Sequence, residues 1–504
     1  MQTRKLIYTN HLSISLMKPY LKKGWVLVDT HKHPDPDSHT VWGDHKIEPD
    51  MALYETAREP EAPLCQASQM ASVGEFKLDP IDEPFHIDAG LKKATKTKGG
   101  KKTKPFERET EAAKATRGQL TVYINAIQAS QHRTRTFAFY VHRKWCRLLC
   151  HSRAGTEVTP LINYTESFDL QTFFWRFTHA SAECRGVDTT FQPVPSTDMS
   201  PKVQDARSAL SITSSAPLFK VLVPEIPPEQ ASSTLSEISR TSPSDRLLYV
   251  SEPFTTNHRF PVGRGPRCFY AYDPVSCTVR LFKDLRRIMG YRPEADTYQQ
   301  LHKKETPNIL HVVAAGDVDG LLHRCGGKDG LGRKDGFRHY RIILDKLGKP
   351  LNQFSSTHEL VTAVYDAFIT HRHACTKAGI LHQDISFGNI IIVGGRGYLI
   401  DWEFGRWDRA DDSSADERTG TWQFLSIRLL ENPATFHEIR DDIESFFYVL
   451  FWVAARYAPN KQNPSQRSEF LSMFDYKQLE PAAAKIRFIT AGCFSVTERQ
   501  VLCW

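Results

Sequence analysis

Residues 381–393 read LHQDISFGNIIIV, and the fold turns on how this stretch is taken. His382, Asp384 and Asn389 crowd a short loop, and an unbroken apolar run follows at once. One reading is a polar turn before a buried strand, since a His-x-Asp triplet is common by chance and Asp is a turn former. The other is a loop that presents a reactive carboxylate. The flanks separate the two. Upstream, AFITHRHACTKAGI (367–380) reads as the end of a helix with a turn at Gly379. Downstream, IIIVGGRGYLID (390–401) reads as strand, tight glycine turn, strand. Asp384 then lies on a loop after a helix, Asn389 opens a strand, Asp401 closes the next, and the hairpin brings the last two together.

That layout has a chemical use. Phosphoryl transfer asks a protein to position the nucleophile and neutralise phosphate charge. One carboxylate orients the attacking hydroxyl, while a second carboxylate and an amide oxygen hold Mg²⁺, a cation that prefers oxygen ligands. Asp384, Asn389 and Asp401 supply these groups at that layout.

The remaining parts are expected upstream. VGRGPRCFYAYDPVSCTVRLFKD (262–284) reads as strand, glycine turn, strand, turn, strand. Gly263 and Gly265 would let backbone N–H groups approach phosphate oxygens, although two glycines are more often only a turn. Lys283 closes the third strand, where an ammonium would reach phosphate, and Glu294, early in a helix over 292–303, would pair with it. HYRIILDKLGKPLNQF (339–354) gives a strand and a turn at a hinge, and STHELVTAVYDAFITHRH (356–373) an amphipathic helix. Beyond the loop, ERTGTWQFLSIRLLEN (417–432) would meet the substrate. Asp442 near the start of the apolar helix in RDDIESFFYVLFWVAARYA (440–458) would brace the loop backbone, with an N-cap role for Asp441 as the competing view.

The 504 residues allow two to four domains. Residues 1–106 read as irregular and partly disordered; HKHPDPDSH (31–39) holds prolines and shows no metal-ligand spacing, and LKKATKTKGGKKTK (91–104) reads as a solvated run of lysines. Residues 107–191 read as a small α/β unit, with Ala113, Leu120, Tyr123, Ile124 and Ile127 at helical spacings. Residues 192–245 are rich in Ser, Thr and Pro and read as a disordered linker, with LFKVLV (218–223) as a candidate strand. Residues 246–504 form the second domain. The net charge of +7 is modest and gathers on no helical face, which argues against a nucleic-acid binder. The ten cysteines form no CxxC pair. Without a secretory signal or a membrane-spanning apolar run, the chain reads as intracellular with reduced thiols.

The motifs AGILHQDISFGNIIIV, YLIDWEFGR, RTGTWQFLS and RDDIESFFYVLFW resemble the fungal-type protein kinases, a divergent branch of the eukaryotic protein kinases. RGQLTVYINAIQASQHRTRTFAFYV and SFDLQTFFWRFTHASAECRGVDTTFQPV are similar to the segment such proteins carry ahead of the kinase core. The resemblance covers roughly residues 110–460. It implies an α+β class with a bilobal protein-kinase-like fold, a β-rich N-lobe and an α-helical C-lobe. It also implies ATP with Mg²⁺ and transfer to a protein hydroxyl. Lys283, Glu294, Asp384, Asn389 and Asp401 match the family's key positions, with Gly263 and Gly265 in the nucleotide loop.

Departures stand beside the match. Gln383 replaces the usual Arg, so it cannot make a charge-assisted bond to a phosphate on the activation segment, although Ser413, Ser414 and Thr419 are available. The metal triplet is Asp401-Trp402-Glu403, without its Gly. Ser386 takes the place of a lysine, Arg428 that of a glutamate, and Cys268 lies near the missing third loop glycine. Two alternatives follow: a pseudokinase that binds without transfer, and a small-molecule kinase of the aminoglycoside or choline type. The unit at 107–191 lacks a carboxylate–lysine pair for phosphodiester cleavage, so a structural or regulatory role is expected for it.

Overall fold

The computed structural model describes residues 15–38, 45–56, 65–86, 106–224, 245–325, 336–407, 420–432, 434–459, 463–472, 474 and 481–491. The first sheet takes its strands in chain order: β1 (Trp25–Asp29), β2 (Met51–Glu55), β3 (Ser72–Lys77), β4 (Thr136–His142), β5 (Trp145–Ser152) and β6 (Gly155–Val158). Strand β7 (Ile162–Asn163) pairs with β5. Only β3 and β4 run parallel. Helix α1 (Glu111–Ser130) provides the long connection that a parallel pair requires. Leu120, Tyr123, Ile124 and Ile127 of α1 cover one face, against Ala52, Tyr54, Ala138 and Tyr140. Leu170, Phe174 and Phe177 of α2 (Asp169–His179) cover the other, against Met51, Leu53, Phe139 and Val141.

Residues 1–106 are therefore not uniformly irregular, because β1, β2 and β3 are three of this sheet's seven strands. Their signal is weak for a physical reason. Each is five or six residues long, and with both faces covered the apolar/polar alternation of a half-exposed strand is lost. In HKHPDPDSH, Asp35 is a loop organiser, accepting from Asp37 N at 2.9 Å and Ala67 N at 2.6 Å. The lysine run lies outside the described residues.

The second sheet is antiparallel, in the order β13-β15-β12-β11-β10-β9-β8. Its strands are β8 (Phe191–Pro193), β9 (Phe219–Val223), β10 (Arg246–Val250), β11 (Arg267–Asp273), β12 (Thr278–Ile288), β13 (Val312–Asp317) and β15 (Phe337–Leu344). The short β14 (Arg324–Cys325) pairs with β15. The expected linker is thus ordered over 192–224. It supplies β9 and helix α3 (Pro201–Ala209), whose Val203 and Ala206 pack on Tyr249 and Tyr272; residues 225–244 lie outside the described residues. Two further corrections concern the site. No strand runs directly into Gly263, the preceding β10 ending at Val250, and Lys283 sits in the middle of β12 rather than at its end. Helix α4 (Glu294–Lys303) starts at Glu294, just after Pro293.

The rest is mainly helical: α5 (Thr357–His373), α6 (Ile427–Glu431), α7 (Ile439–Tyr457), α8 (Pro464–Ser472) and α9 (Pro481–Ala491). Gly394 and Gly395, with φ of 57° and 76°, join β18 (Ile390–Val393) to β19 (Arg396–Leu399) by a two-residue turn, as the sequence suggests. Strand β16 (Lys349–Pro350) extends this hairpin, and β17 (Ile380–Leu381) pairs with β20 (Arg406–Trp407). One apolar core joins the hairpin to α5, α7 and the underside of the second sheet through Ile342, Ala363, Ile390, Trp402 and Val449. Among the described residues no helix is long and apolar enough to cross a membrane.

Candidate active site

Lys283 points from the middle of β12 into a group of acids. Its Nζ lies 2.9 Å from Glu294 Oε2, 2.7 Å from Asp401 Oδ1 and 3.7 Å from Glu403 Oε2. The antiparallel register sets Cys268 opposite Lys283. Burial alone would lower the Lys283 pKa, but Asp401, Glu294 and Glu403 more than offset it and hold the ammonium well above its ordinary value. Burial would raise Asp401, whereas Lys283 and Arg264 hold it down to about 2. Glu294 is pushed up to about 7 by burial, partly countered by Lys283 and reinforced by Asp401 and Glu403. Its Oε1 also accepts from Trp402 N at 3.2 Å.

The loop of residues 381–389 faces this group. Asn389 Nδ2 donates to Asp384 O at 2.8 Å and to Asp384 Oδ2 at 3.2 Å. Its amide oxygen is thereby left for a cation. His382 is fully buried, and its Nε2 donates to Ile400 O at 3.0 Å. Gln383 takes a left-handed φ of 68° and donates its N–H to Asp442 Oδ2 at 3.1 Å. Asp442 also accepts from His371 Nε2 and His437 Nε2, each at 2.8 Å. The brace expected of Asp442 is therefore present, reinforced by two histidines that the sequence reading missed. Asp441 is not the N-cap of α7. It sits at the third helical position and accepts from Glu438 N at 2.7 Å.

The segment from Gly420 onward closes over Asp384. Thr421 N and Thr421 Oγ1 both donate to Asp384 Oδ1 at 2.8 Å, contacts that the RTGT motif hinted at only by position. Arg428, standing in place of a glutamate, forms ion pairs of its own: the guanidinium binds Asp441 and lies 3.3 Å from Glu438. From below, buried Lys485 of α9 donates to Gln423 O at 2.9 Å and Leu425 O at 2.7 Å and packs 4.1 Å over the Tyr448 ring. Burial lowers its pKa to about 7. The unfolded chain then holds this proton up to the ordinary 10.5 and the folded chain only to about 7, so stability rises with pH between those values. Lys485→Met should remove that rise, read as equal urea midpoints of the variant at about pH 7 and about pH 9. A rise that persists in the variant would assign it to another group. Ser413, Ser414 and Thr419 lie outside the described residues.

Gly263 and Gly265 both have positive φ, 88° and 50°. The Gly263 N–H, expected to face phosphate, instead donates to Arg153 O at 2.8 Å. Between the two glycines, Arg264 reaches into the acid group. It pairs with Glu403, and its guanidinium stacks 3.9 Å over the Phe404 ring. Burial would lower the Arg264 pKa, but Glu403, Asp401, Asp384 and Glu294 raise it, so it faces every acid of the site. Glu403, in the place of a flexible Gly, is thus the counter-ion of the Gly263–Gly265 loop. Glu403→Gln should cost about 1–3 kcal/mol in urea unfolding, because a half-buried guanidinium loses its charged acceptor. An unchanged midpoint would show that the pair contributes nothing.

Residues 332–454 match the fungal protein kinase family. No curated protein matches the chain. The fungal protein kinase segment carries Asp384, Asn389, Asp401, Glu403 and Asp442, and the chain is kinase-like there. Gly263, Gly265, Lys283 and Glu294 lie before the matched segment, and geometry alone brings Lys283 and Glu294 to it.

Glu294, Asp401 and Glu403 converge closely enough to share a cation, and three carboxylates form an oxygen donor set that fits Mg²⁺. Asp188, His323 and His339 converge too, but that cluster is complete as it stands. His323 Nδ1 meets His339 Nδ1 at 2.7 Å, His339 Nε2 binds Asp284 at 2.5 Å, and Arg341 binds Asp284 at 3.0 Å and lies 3.8 Å from Asp188. Burial holds His339 down to about 4, and Arg341 with the neighbouring Arg286 balances the two carboxylates without a metal.

Proposed function

We propose that the chain is an ATP-dependent phosphotransferase of bilobal protein-kinase-like fold that moves the γ-phosphate of Mg-ATP to a serine or threonine hydroxyl of a protein. The observation that carries this reading is Lys283 held between Glu294 and Asp401 at 2.9 and 2.7 Å, a fixed cation beside the carboxylates of Asp401 and Glu403. Bound there, Mg²⁺ would neutralise phosphate charge. Lys283 would bind phosphate oxygens. Asp384 would take the proton of the acceptor hydroxyl as its oxygen bonds to the γ-phosphorus and ADP leaves with the bridging oxygen. The Thr421 hydroxyl on Asp384 Oδ1 supports an alcohol acceptor.

A second reading, nucleotide binding without transfer, is favoured by Arg264, whose guanidinium sits among the same acids. Incubation with γ-labelled ATP and Mg²⁺, offering protein acceptors beside small alcohols, separates the readings. Wild type should label protein, and Lys283→Met should fall by about 10²-fold or more, as for loss of an electrostatic group at the transferred phosphate. Wild-type labelling no higher than that of Lys283→Met would overturn transfer, and labelling of alcohols alone would overturn the protein substrate.

A further inference from the structure

The segment before the glycines, residues 258–263, has no strand partner, yet four consecutive carbonyls are bonded to the first unit. His258 O accepts from Arg153 Nη2 at 2.8 Å, Arg259 O from Asn125, and Phe260 O from Arg153. Pro261 O accepts from Gln128 Nε2 at 3.0 Å and His151 Nε2 at 2.9 Å. Gly263 N then returns to Arg153 O. At Gly265 an added Cβ would stand 2.5 Å from the Arg153 guanidinium carbon. Arg153 sits at the tip between β5 and β6, 7% exposed; Asn125 and Gln128 come from α1. Arg267, where β11 begins, donates to Gln128 O at 2.7 Å and Gln131 O at 2.8 Å, fixing the far end of the loop to the same helix.

We infer that the N-terminal unit is a positioning element of the nucleotide site: Arg153, with Gln128, Asn125 and His151, sets the place of the Gly263–Gly265 loop, and so how tightly Mg-ATP is held. A loop fixed in advance spares the ordering cost on binding, and Arg153 supplies the fork of donors that two carbonyls require. The inference rests on the phosphotransferase reading, and it gives the first unit a role that its own residues do not.

The test uses the full chain and trinitrophenyl-ATP with Mg²⁺, followed by fluorescence, together with transfer kinetics. Arg153→Ala should weaken nucleotide binding and raise the KM for ATP by about tenfold, with kcat at saturating ATP within about twofold. Arg153→Lys should fall between, because one ammonium cannot span both carbonyls. Gln128→Met, which removes one donor at nearly constant side-chain length and keeps the fold, should weaken binding by about threefold. Thermal unfolding of each variant identifies any that is not folded, and Gln128→Met then carries the decision. Wild-type binding matched by folded variants overturns the inference and leaves the phosphotransferase reading standing. Absence of nucleotide binding by the wild type overturns both. Equal losses in kcat and KM would assign Arg153 to the fold alone and also overturn it.

Discussion

Asp384→Asn is expected to lower phosphoryl transfer by about 10³-fold, within the range for removing a positioned general base, while Mg-ATP binding stays within about twofold. Asn has the shape of Asp and can still accept from Thr421 N and Oγ1, which both meet Oδ1. What it cannot do is take a proton. The variant therefore separates the reaction from the structure of the loop. Single-turnover transfer with γ-labelled ATP reads the effect, and a rate within tenfold of wild type would remove Asp384 from its role. A small stability loss is expected as well, since Asn389 Nδ2 donates to Asp384 Oδ2 at 3.2 Å and would meet an amide nitrogen in the variant.

The largest stability effect is expected at Asp442. This carboxylate is fully buried and is the common acceptor for Gln383 N, His371 Nε2 and His437 Nε2. Asp442→Ala leaves three buried donors without it and should cost about 3–5 kcal/mol, as for breaking a buried charged network. Burial alone would raise the Asp442 pKa, but the two histidines hold it well below the usual 3.8. A carboxylate depressed in the folded state contributes fully above its unfolded value, so this stability is present above 3.8 and is lost as pH falls below it. Urea unfolding at neutral pH reads the loss, and a change under about 1 kcal/mol would show that the neighbours rearrange freely.

How much of this was legible in the sequence depends on where each signal lies. The 381–401 stretch was readable because loop, glycine turn and strands are local. The pairing of Lys283 with Glu294 was readable because only eleven positions separate them. Strands β1 to β3 were not, since each is short and buried on both faces. Strand β8 and helix α3 were hidden by a Ser- and Pro-rich composition in which Val194, Val203, Ala206 and Leu218 are scattered without a clear period yet share one core with Tyr249 and Tyr272. The Arg264–Glu403 pair spans 139 positions, beyond any pattern of spacing, although an arginine flanked by two glycines in VGRGPR was a visible oddity. Arg153 was the hardest to foresee, because its partners are carbonyls, which every residue type carries.

Contacts made to carbonyls govern how the segment at 258–261 can change over time. Its grip is on main-chain oxygens, and Phe260 leaves 70% of its surface to solvent. Letters at such a position can drift at little cost, whereas length cannot. One inserted or deleted residue would put every oxygen out of step with Arg153, Asn125, Gln128 and His151 together. The contact therefore constrains the number of residues before the first glycine, and leaves the residue types of the stretch free to change.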